Sequence, residues 1–383
     1  MDFSLTMDQE ILRDTVHKFA ENEIRPVADE LDKNEEFSYE TMKKMAEMGL
    51  FGIFVSEKYG GQGMDYVSYI IAAEEIARVD GSHAATVAAE NSLGIGPLYY
   101  FGSEEQKQKY LQDLCLGKTL WGFVLPEPNA GSDAGNSQTR AVRDGKEWVI
   151  NGTKIFITNA STDITAGVTV LCRTGTRDDG KPELTCFLVE TGTPGFAARP
   201  MHGKMMWRAS NTSELYFEDC RVPAENMLGE RGQGFYQMMQ TLDGGRLSIG
   251  AMGLGGAQGC LDMALKYTRE REQFGRPIAR FQANAFKLAD MAMQVDAARL
   301  LLYKACWLRD NNKPFSREAA IAKLYCSEAM HLCADHAVQL HGGYGLMREY
   351  QVERFYRDQK LLEIGEGTSE IQRVVIARHL GVL

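Results

Sequence analysis

Long apolar runs are missing from this sequence of 383 residues, and so is a leader-like beginning. No stretch approaches the roughly 18 apolar residues that a membrane-spanning helix needs. The opening residues, MDFSLTMDQE, contain neither the basic segment nor the apolar segment of a secretory signal peptide. We therefore expect a bacterial-type cytoplasmic protein without integral membrane contact.

Cysteines and histidines at metal-ligand spacing are also missing. The eight cysteines are scattered without a Cys-x-x-Cys pair, and the seven histidines form no cluster at zinc spacing. In a chain of this length an even cysteine count is weak evidence for disulfides. We expect reduced, buried cysteines and no metal site.

Massed basic residues are absent as well. Lysine and arginine together number 42 against 52 acidic residues, which gives a formal net charge of −10. Because basic side chains supply much of the affinity for nucleic-acid phosphates and anionic lipids, this balance disfavours both partners. Apolar residues make up 44% and charged residues 25%, which is ordinary for a globular protein of two or three domains.

Three stretches of different texture follow one another along the chain. The first has helical periodicity from a capping box at Thr6 and Gln9 onward, and the second consists of short strand patterns. Asp144-Gly145 and Asn151-Gly152 are typical of tight hairpins and predict two turns in the second stretch. The sequence therefore predicts an α+β protein with a helical domain at 1–119, an antiparallel β domain at 120–226 and an antiparallel helix bundle at 227–383.

The third stretch contains long helical patterns at 246–269, 282–311 and 316–339, separated by short turns with proline or glycine. Their apolar residues recur with a period of about 3.6, which distinguishes them from the strands before. Long helices joined by short connections pack antiparallel, and this is the basis for expecting a bundle.

Four polar segments with glycine are candidates for chemistry: 123–133, 269–277, 339–345 and 363–370. Small residues in the first would let the backbone approach a flat ligand, and the arginines of the second suit a pyrophosphate. The glycines of the third could surround a phosphate. Each segment has a plainer alternative: a two-proline loop, a solvated charged face, a helix terminator and a surface acid in a turn, respectively.

The fourth segment holds a candidate base. Glu366 lies between Gly365 and Gly367, which leave its backbone uncrowded, and Thr368 or Ser369 could cap the following helix. A carboxylate that removes a carbon-bound proton must lie in an apolar site, because desolvation raises its pKa toward the working pH. Glu366 is therefore the candidate catalytic residue.

Taken together, these segments resemble the acyl-CoA dehydrogenase family. The most specific are Glu-Pro-Asn-Ala-Gly-Ser-Asp at 127–133, Arg-Glu-Gln-Phe-Gly-Arg-Pro-Ile at 271–278 and Glu-Gly-Thr-Ser-Glu-Ile-Gln-Arg at 366–373. The resemblance extends from Phe3 to Leu380. It implies a helical–β–helical subunit that binds FAD non-covalently and forms a homotetramer.

The resemblance also implies a reaction. Members of the family convert an acyl-CoA thioester to its trans-2-enoyl form: a base takes the α-proton and the β-hydrogen leaves as hydride to flavin N5. Glu366 stands at the base position. Some members place the base at the position of Gly245, where glycine cannot serve. Electrons would pass to an electron-transferring flavoprotein; the alternative, an acyl-CoA oxidase, would use dioxygen.

The ligand contacts that the resemblance implies fall into two sets. Those to FAD are Phe123, Leu125, Ser132, Phe156, Ile157, Thr158, Arg271, Gln273, Phe281, Gln282, Gln339, Gly342, Gly343, Thr368 and Glu370. Those to the acyl-CoA substrate are Ser132, Asp243, Arg246, Gly367, Glu90 and Gly365. In the family, several of the FAD contacts come from a neighbouring subunit.

Three positions depart from the family pattern. Pro126 replaces the usual threonine and so removes an N–H and a hydroxyl beside the flavin. Gly365 replaces the tyrosine of many straight-chain members, and Glu90 brings a carboxylate to the far end of the acyl pocket. These two predict a short acyl group that is branched, cyclic or polar-tipped. For the substrate, the alternative is a straight acyl chain such as butyryl. For Glu90, the alternative is a side chain that faces solvent or contacts a helix. For the function, the alternative outside enzymes is a DNA-associated relative of the fold.

Overall fold

The computed structural model describes residues 4–383, so Met1 to Phe3, where the resemblance begins, lie outside the described residues. Helices come first, strands follow and helices return. The predicted capping box is confirmed, because the Gln9 N–H donates to Thr6 Oγ1 and the Thr6 N–H donates to Gln9 Oε1. The helices of the N-terminal domain are α1 (Met7–Phe19), α2 (Arg25–Asn34), α3 (Tyr39–Glu47), α4 (Tyr66–Ala77), α5 (Gly81–Ala89), α6 (Gly96–Phe101) and α7 (Glu104–Cys115).

The middle domain is an eight-stranded sheet. Its strands are β1 (Leu120–Val124), β2 (Arg140–Asp144), β3 (Glu147–Thr158), β4 (Thr165–Thr176), β5 (Pro182–Glu190), β6 (Phe196–Pro200), β7 (Thr212–Pro223) and β8 (Met227–Leu228). They lie in the order β6-β7-β3-β2-β4-β5-β8, with β1 beside β4. Most neighbours pair antiparallel as expected. Two parallel pairings add to them: β1 runs parallel to β4, and β2 meets β4 at Arg140 and Arg173.

One of the two predicted hairpin turns is wrong. Asp144-Gly145 does join β2 to β3, with Asp144 opposite Glu147. Asn151 and Gly152, in contrast, lie inside β3, where the register with β7 shifts between Ile150 and Gly152. A Cβ at residue 152 would lie 2.5 Å from Thr139 Oγ1, so this glycine permits a close approach within the sheet instead of a turn.

The C-terminal domain contains the predicted long helices. Its elements are α8 (Gly234–Glu270), β9 (Glu272–Gln273), β10 (Arg276–Pro277), α9 (Gln282–Asp310), α10 (Ser316–His341), α11 (Val352–Ile364) and α12 (Ser369–His379). Helix α8 begins well before the predicted start at Arg246, because packing keeps its early glycines helical. Gly253 lies against Cys326, and the ring of Tyr267 stacks on His341 at 4.2 Å, so α8 and α10 run side by side in one direction. Helix α9 runs antiparallel to both.

The two helical domains share one hydrophobic core. It joins Val16 and Tyr69 of the first domain to Leu247 and Leu254 of α8. Glycines in α8 allow the close packing: a Cβ at Gly255 would lie 2.1 Å from the Glu74 carbonyl oxygen. Near its start α8 also packs on the sheet, with Gly234 against Thr185. Helix α8 therefore contacts all three domains, and it positions the site described below.

The cysteine prediction is confirmed. All eight cysteines are free and buried. Burial raises the pKa of the Cys172 thiol to about 12, so it is protonated and inert at neutral pH. In residues 4–383 no helix is both long enough and apolar enough to cross a bilayer.

Candidate active site

Glu366 lies in the turn between α11 and α12. Its φ is 52° and that of Gly367 is 96°, so two successive residues are left-handed, a conformation rare for a residue with a side chain. Its Oε2 atom is shielded from solvent and has no hydrogen-bond partner among the described residues. Burial raises the pKa of Glu366 to about 7, although the positive charges of Lys323 and Arg246 act to lower it. A carboxylate that is partly ionised near neutral pH is therefore free to accept a proton.

Gly245 makes the space in which this carboxylate lies. A Cβ at residue 245 would stand 1.9 Å from Glu366 Oε2, so any side chain there would displace this carboxylate. The same position is 3.2 Å from Cδ2 of Leu93, which lies in the π-helical turn Glu90–Ile95. Glu366, Gly245 and Leu93 thus meet at one point, where an apolar side chain and a bare helix backbone surround the carboxylate.

Two residues that the sequence did not single out hold the turn. Lys323 Nζ donates to the Gly367 carbonyl at 2.8 Å, and Gln372 Nε2 donates to the carbonyls of Gly367 at 2.8 Å and Glu366 at 3.2 Å. Lys323 is fully buried in α10, and burial lowers its pKa to about 8. A lysine on the buried alanine face of a helix was the available signal, because such a lysine needs a polar partner.

Asp243 and Arg246, both implied substrate contacts, lie one turn apart on α8 beside Gly245. They form an ion pair with each other, and Asp243 also accepts a hydrogen bond from Ser316 Oγ at 3.0 Å. Arg246 is buried, and its Nε has no partner among the described residues. Arg246 lies close enough to Glu366 for its positive charge to lower the pKa of that carboxyl.

The residues flanking the base have different surroundings. The predicted cap is confirmed at Thr368, whose hydroxyl accepts from the Ile371 N–H at 3.3 Å. Glu370 is exposed in the first turn of α12. A Cβ at Gly365 would make only ordinary contacts, 3.4 to 3.7 Å, all with Leu361. A side chain would therefore fit at residue 365, and its absence leaves free space beside the base.

The loop after β1 is anchored by Glu127, to which the sequence assigned no role. Glu127 forms a buried ion pair with Lys154 at 3.0 Å and accepts the N–H groups of Gln138 at 2.8 Å and Thr139 at 2.9 Å. Burial alone would raise the pKa of Glu127, but Lys154 and these bonds hold it at about 2. The anchored loop presents Ser132 at its exposed tip.

The implied flavin contacts of the sheet lie on β1 and β3. Lys154 Nζ donates to the Leu125 carbonyl at 3.0 Å and so ties β1 to β3, while the carbonyl of Pro126 accepts from the Ile155 N–H at 3.1 Å. Phe123, Leu125 and Ile157 are buried and Thr158 is half-buried. Phe156 differs: its φ is 62°, which costs about 1–3 kcal/mol, and 63% of its surface is exposed.

Glu90 is fully buried at the start of the π-helical turn. Its Oε2 accepts from the Trp121 N–H at 3.0 Å and from Asn159 Nδ2 at 3.5 Å, while its Oε1 has no partner among the described residues. Burial raises the pKa of Glu90 to about 8, which leaves it mostly protonated at neutral pH. It therefore does not face solvent, and it links the turn that carries Leu93 to β1 and the end of β3.

The remaining implied FAD contacts lie at the opposite end of the bundle, which we call the distal site: Arg271, Gln273, Phe281, Gln282, Gln339, Gly342 and Gly343. Arg271 follows α8 directly, about 39 Å along the helix from Gly245 at 1.5 Å per residue. Its guanidinium lies over the ring of Tyr344 at 5.7 Å. Phe274, at the tip of the β9–β10 hairpin, is 93% exposed. One protomer thus separates the implied contacts into two groups.

The chemistry of both groups fits FAD. On the sheet, Phe156 and Ser132 are exposed and Thr158, two residues after Phe156 on β3, is half-buried. An exposed aromatic ring and accessible hydroxyl groups suit a flat ligand with polar edges. At the distal site, Arg271 is exposed, and a Cβ at Gly342 or Gly343 would meet no atom within 4 Å. An arginine beside open backbone suits a diphosphate.

Three models of the acyl-CoA dehydrogenase family match the chain. They describe the N-terminal domain at residues 6–118, the middle domain at 122–220 and the C-terminal domain at 232–381. The chain is 53% identical over 380 residues to the probable acyl-CoA dehydrogenase YngJ of Bacillus subtilis, covering 99% of this chain and 100% of that protein. It is 46% identical over 377 residues to the short-chain specific acyl-CoA dehydrogenase of Clostridium acetobutylicum, with 98% and 99% covered.

Solved structures agree along the whole chain. The butyryl-CoA dehydrogenase of Megasphaera elsdenii superposes with a TM-score of 0.96 at 43% identity, covering 99% of this chain and 100% of that one. A structure reported as the electron transferring flavoprotein of Acidaminococcus fermentans contains a chain with a TM-score of 0.96 at 44% identity, with 99% of each covered. A glutaryl-CoA dehydrogenase of Mycobacterium smegmatis in complex with FADH2 gives 0.93 at 31% identity, with 98% and 95% covered. The chain therefore belongs to the acyl-CoA dehydrogenase family, whose cofactor is FAD.

Proposed function

We propose that this protein dehydrogenates a short acyl-CoA thioester between its α- and β-carbons, with Glu366 as the base. The observation that carries the proposal is the buried, unpartnered Oε2 of Glu366 in the space left by Gly245. A base must be ionised to accept a proton, and a pKa of about 7 leaves it both partly ionised and basic enough near neutral pH.

In this mechanism Glu366 accepts the α-proton of the thioester. Lys323 donates to the Gly367 carbonyl and Gln372 donates to the carbonyls of Gly367 and Glu366, which fixes the turn and keeps the carboxylate aimed at α8. The positive charges of Lys323 and Arg246 favour the ionised base before the proton moves. Leu93 limits the access of water. FAD, when bound, supplies the acceptor for the β-hydrogen, and Ser132, Phe156 and Thr158 would hold its ring system.

The proposed acyl group is short and either branched or cyclic. Buried hydroxyl groups form a layer one turn beyond Gly245: Ser248 Oγ donates to the Gly245 carbonyl at 2.8 Å and lies 3.3 Å from Ser92 Oγ. This layer supports a shallow pocket. The free space at Gly365 favours bulk beside the reacting carbons. The second candidate is a straight butyryl group, which the names of the Clostridium and Megasphaera proteins favour.

Anaerobic titration with a panel of thioesters tests the proposal. Butyryl-, isobutyryl-, 2-methylbutyryl- and cyclohexanecarboxyl-CoA would be added while the flavin absorbance is followed. We expect the most rapid bleaching with a branched or cyclic thioester. A clear preference for butyryl-CoA would establish the second candidate, and no bleaching with any of them would contradict the dehydrogenase function itself.

The proposed assembly is a homotetramer in which a second copy supplies the distal site. Gly245 lies beside Glu366, two residues before the implied FAD contact Thr368, and is about 39 Å from Arg271 along α8. This separation supports the assembly, because the region of Thr368 and the distal site are too far apart to hold one cofactor within a single protomer. A row of apolar side chains on α9 supports it further, with members seven residues apart on one helix face and 50% to 60% exposed: Phe286, Met293, Leu300 and Trp307.

The proposed electron acceptor is an electron-transferring flavoprotein. The similar chain in the structure of that flavoprotein from Acidaminococcus fermentans supports the assignment. The alternative is an oxidase, which would form hydrogen peroxide. Turnover under air with the purified flavoprotein and a peroxide assay separates the two: reduction of the flavoprotein with little peroxide is expected, and peroxide formed in step with turnover would contradict it.

A further inference from the structure

A cleft lined by arginines lies on the middle domain, outside the residues assigned to FAD and the thioester. It opens between β2 and β4 and has a volume of about 390 Å³. Its charged lining consists of Arg140, Arg143, Arg173 and Arg231. The parallel contact between β2 and β4 places Arg140 directly opposite Arg173, which explains why two like charges adjoin here.

Most of this charge is uncompensated. Arg231 pairs with Glu183 at 2.7 Å. Arg173 donates only to the Gly175 carbonyl at 3.2 Å and Thr176 Oγ1 at 3.0 Å, and Arg143 only to the Gly145 carbonyl at 3.2 Å. Among the described residues no carboxylate lies within ion-pair distance of Arg140, Arg143 or Arg173. Like charges in one concave surface repel each other and attract a multivalent anion, which is unexpected in a chain with a net charge of −10.

The guanidinium groups are also oriented. Those of Arg143 and Arg231 lie over the ring of Trp148 at 5.8 and 5.7 Å from its centroid. Trp148 is itself buried, so a ligand would meet the cations and not the aromatic face. The cleft therefore suits a compact anion and not a stacked base. Guanidinium groups match the oxygen geometry of phosphate, since each can donate two parallel hydrogen bonds.

We propose that this cleft binds a compact anion that carries two or more phosphate charges. Two sources share this chemistry. One is the phosphate-bearing end of the CoA thioester, an assignment that rests on the proposed function. Arg231 lies just before the start of α8 at Gly234, and Arg246 lies about 18 Å further along that helix. The other source is a separate polyphosphate.

Calorimetric titration of the FAD-loaded protein with inorganic pyrophosphate tests the proposal without turnover. We expect saturable binding that weakens as salt rises, and at least about tenfold weaker binding in Arg173→Gln and in Arg140→Gln. The control is Arg199→Gln, because Arg199 is also exposed on the sheet and lies over Tyr216 at 5.0 Å, outside the cleft. Absence of saturable binding, or equal weakening in Arg199→Gln, would overturn the proposal.

Kinetics with butyryl-CoA and its 3′-dephospho analogue distinguish the sources. If CoA phosphates occupy the cleft, pyrophosphate competes with butyryl-CoA, and Arg173→Gln raises KM more for butyryl-CoA than for the analogue. If a separate anion binds, pyrophosphate binds without competition and KM stays unchanged. Either result supports the cleft as an anion site. Because the calorimetry needs no catalysis, failure of the proposed reaction would leave its result intact.

Discussion

The two ends of the bundle formed by α8 and α10 differ in how much of the candidate site one protomer supplies. At the end near Gly245, one protomer supplies a buried carboxylate, the space that holds it and the residues that fix its turn. At the distal site, Arg271 and Phe274 are exposed on the protomer. The proposed proton abstraction therefore needs residues of one chain alone, whereas the proposed cofactor binding depends on the assembly. Changes at one end should therefore affect different observables from changes at the other.

The largest expected effect follows the loss of the base. Glu366→Gln keeps the shape of the side chain but cannot accept a proton, so we expect flavin reduction by the thioester to slow about a thousandfold. FAD content and thioester binding should stay close to wild type, as measured by flavin absorbance and by calorimetry.

The matched control is Glu363→Gln. Glu363 lies on α11 three residues before the base and pairs with His331 and Lys360 at the surface. In the Glu363→Gln variant, the thioester should reduce the flavin at the wild-type rate. Rapid bleaching of the flavin in Glu366→Gln would contradict the assignment of Glu366 as the base.

Gly245→Ala should have the next largest effect. The added Cβ cannot coexist with Oε2 at 1.9 Å, so the carboxylate must move away from the reacting carbon. We expect flavin reduction to slow by about tenfold to a hundredfold with FAD retained, because small displacements of a catalytic group are costly. Stopped-flow reduction measures this rate.

Gly250→Ala on the same helix is the control for that substitution. Its Cβ would stand 3.0 Å from Cδ1 of Leu302, a flexible contact that can adjust. Both variants gain helix propensity, so a difference between them reports the space around Glu366. Equal rates in the two would contradict the role assigned to Gly245.

Leu300→Glu tests the proposed assembly. A charge in the apolar row of α9 should dissociate the assembly, and FAD should be lost as the distal site separates from its partner. Sedimentation gives the mass and absorbance gives the flavin content. Ile11→Glu on α1 is the control, because Ile11 has nearly the same exposure, 55% against 54%. A monomeric Leu300→Glu variant that retains FAD would contradict the proposal that two protomers share the cofactor site.

The smallest expected effect is a change in pH dependence. The charge of Lys323 lowers the pKa of Glu366, so Lys323→Met should raise that pKa. Because the base acts in its ionised form, kcat/KM should rise with pH through about 7 in wild type and at higher pH in Lys323→Met. Lys323→Arg keeps the charge and should restore the wild-type profile. A profile unchanged in Lys323→Met would show that the lysine only supports the turn.

Local patterns predicted the helices well and the long-range contacts poorly. The first helix, α1, is predictable from its capping box at Thr6 and Gln9 and from the helical period that follows. Asn151-Gly152 looked like a turn, but its glycine serves the approach of Thr139, which is a contact between strands. The roles of Lys323 and Glu127 are not predictable from local patterns for the same reason. Their roles come from partners distant in the sequence, Gly367 and Lys154, and no local pattern carries those pairings.

Exchange of α-hydrogens tests the role of Glu366 most directly, because it separates proton abstraction from the loss of the β-hydrogen. Acetyl-CoA has α-hydrogens but no β-carbon, so it can exchange protons with the base without being oxidised. In deuterated water, NMR should show the wild-type protein replacing these hydrogens faster as pH rises through about 7, while Glu366→Gln leaves them in place. Exchange in Glu366→Gln at the wild-type rate would contradict the account.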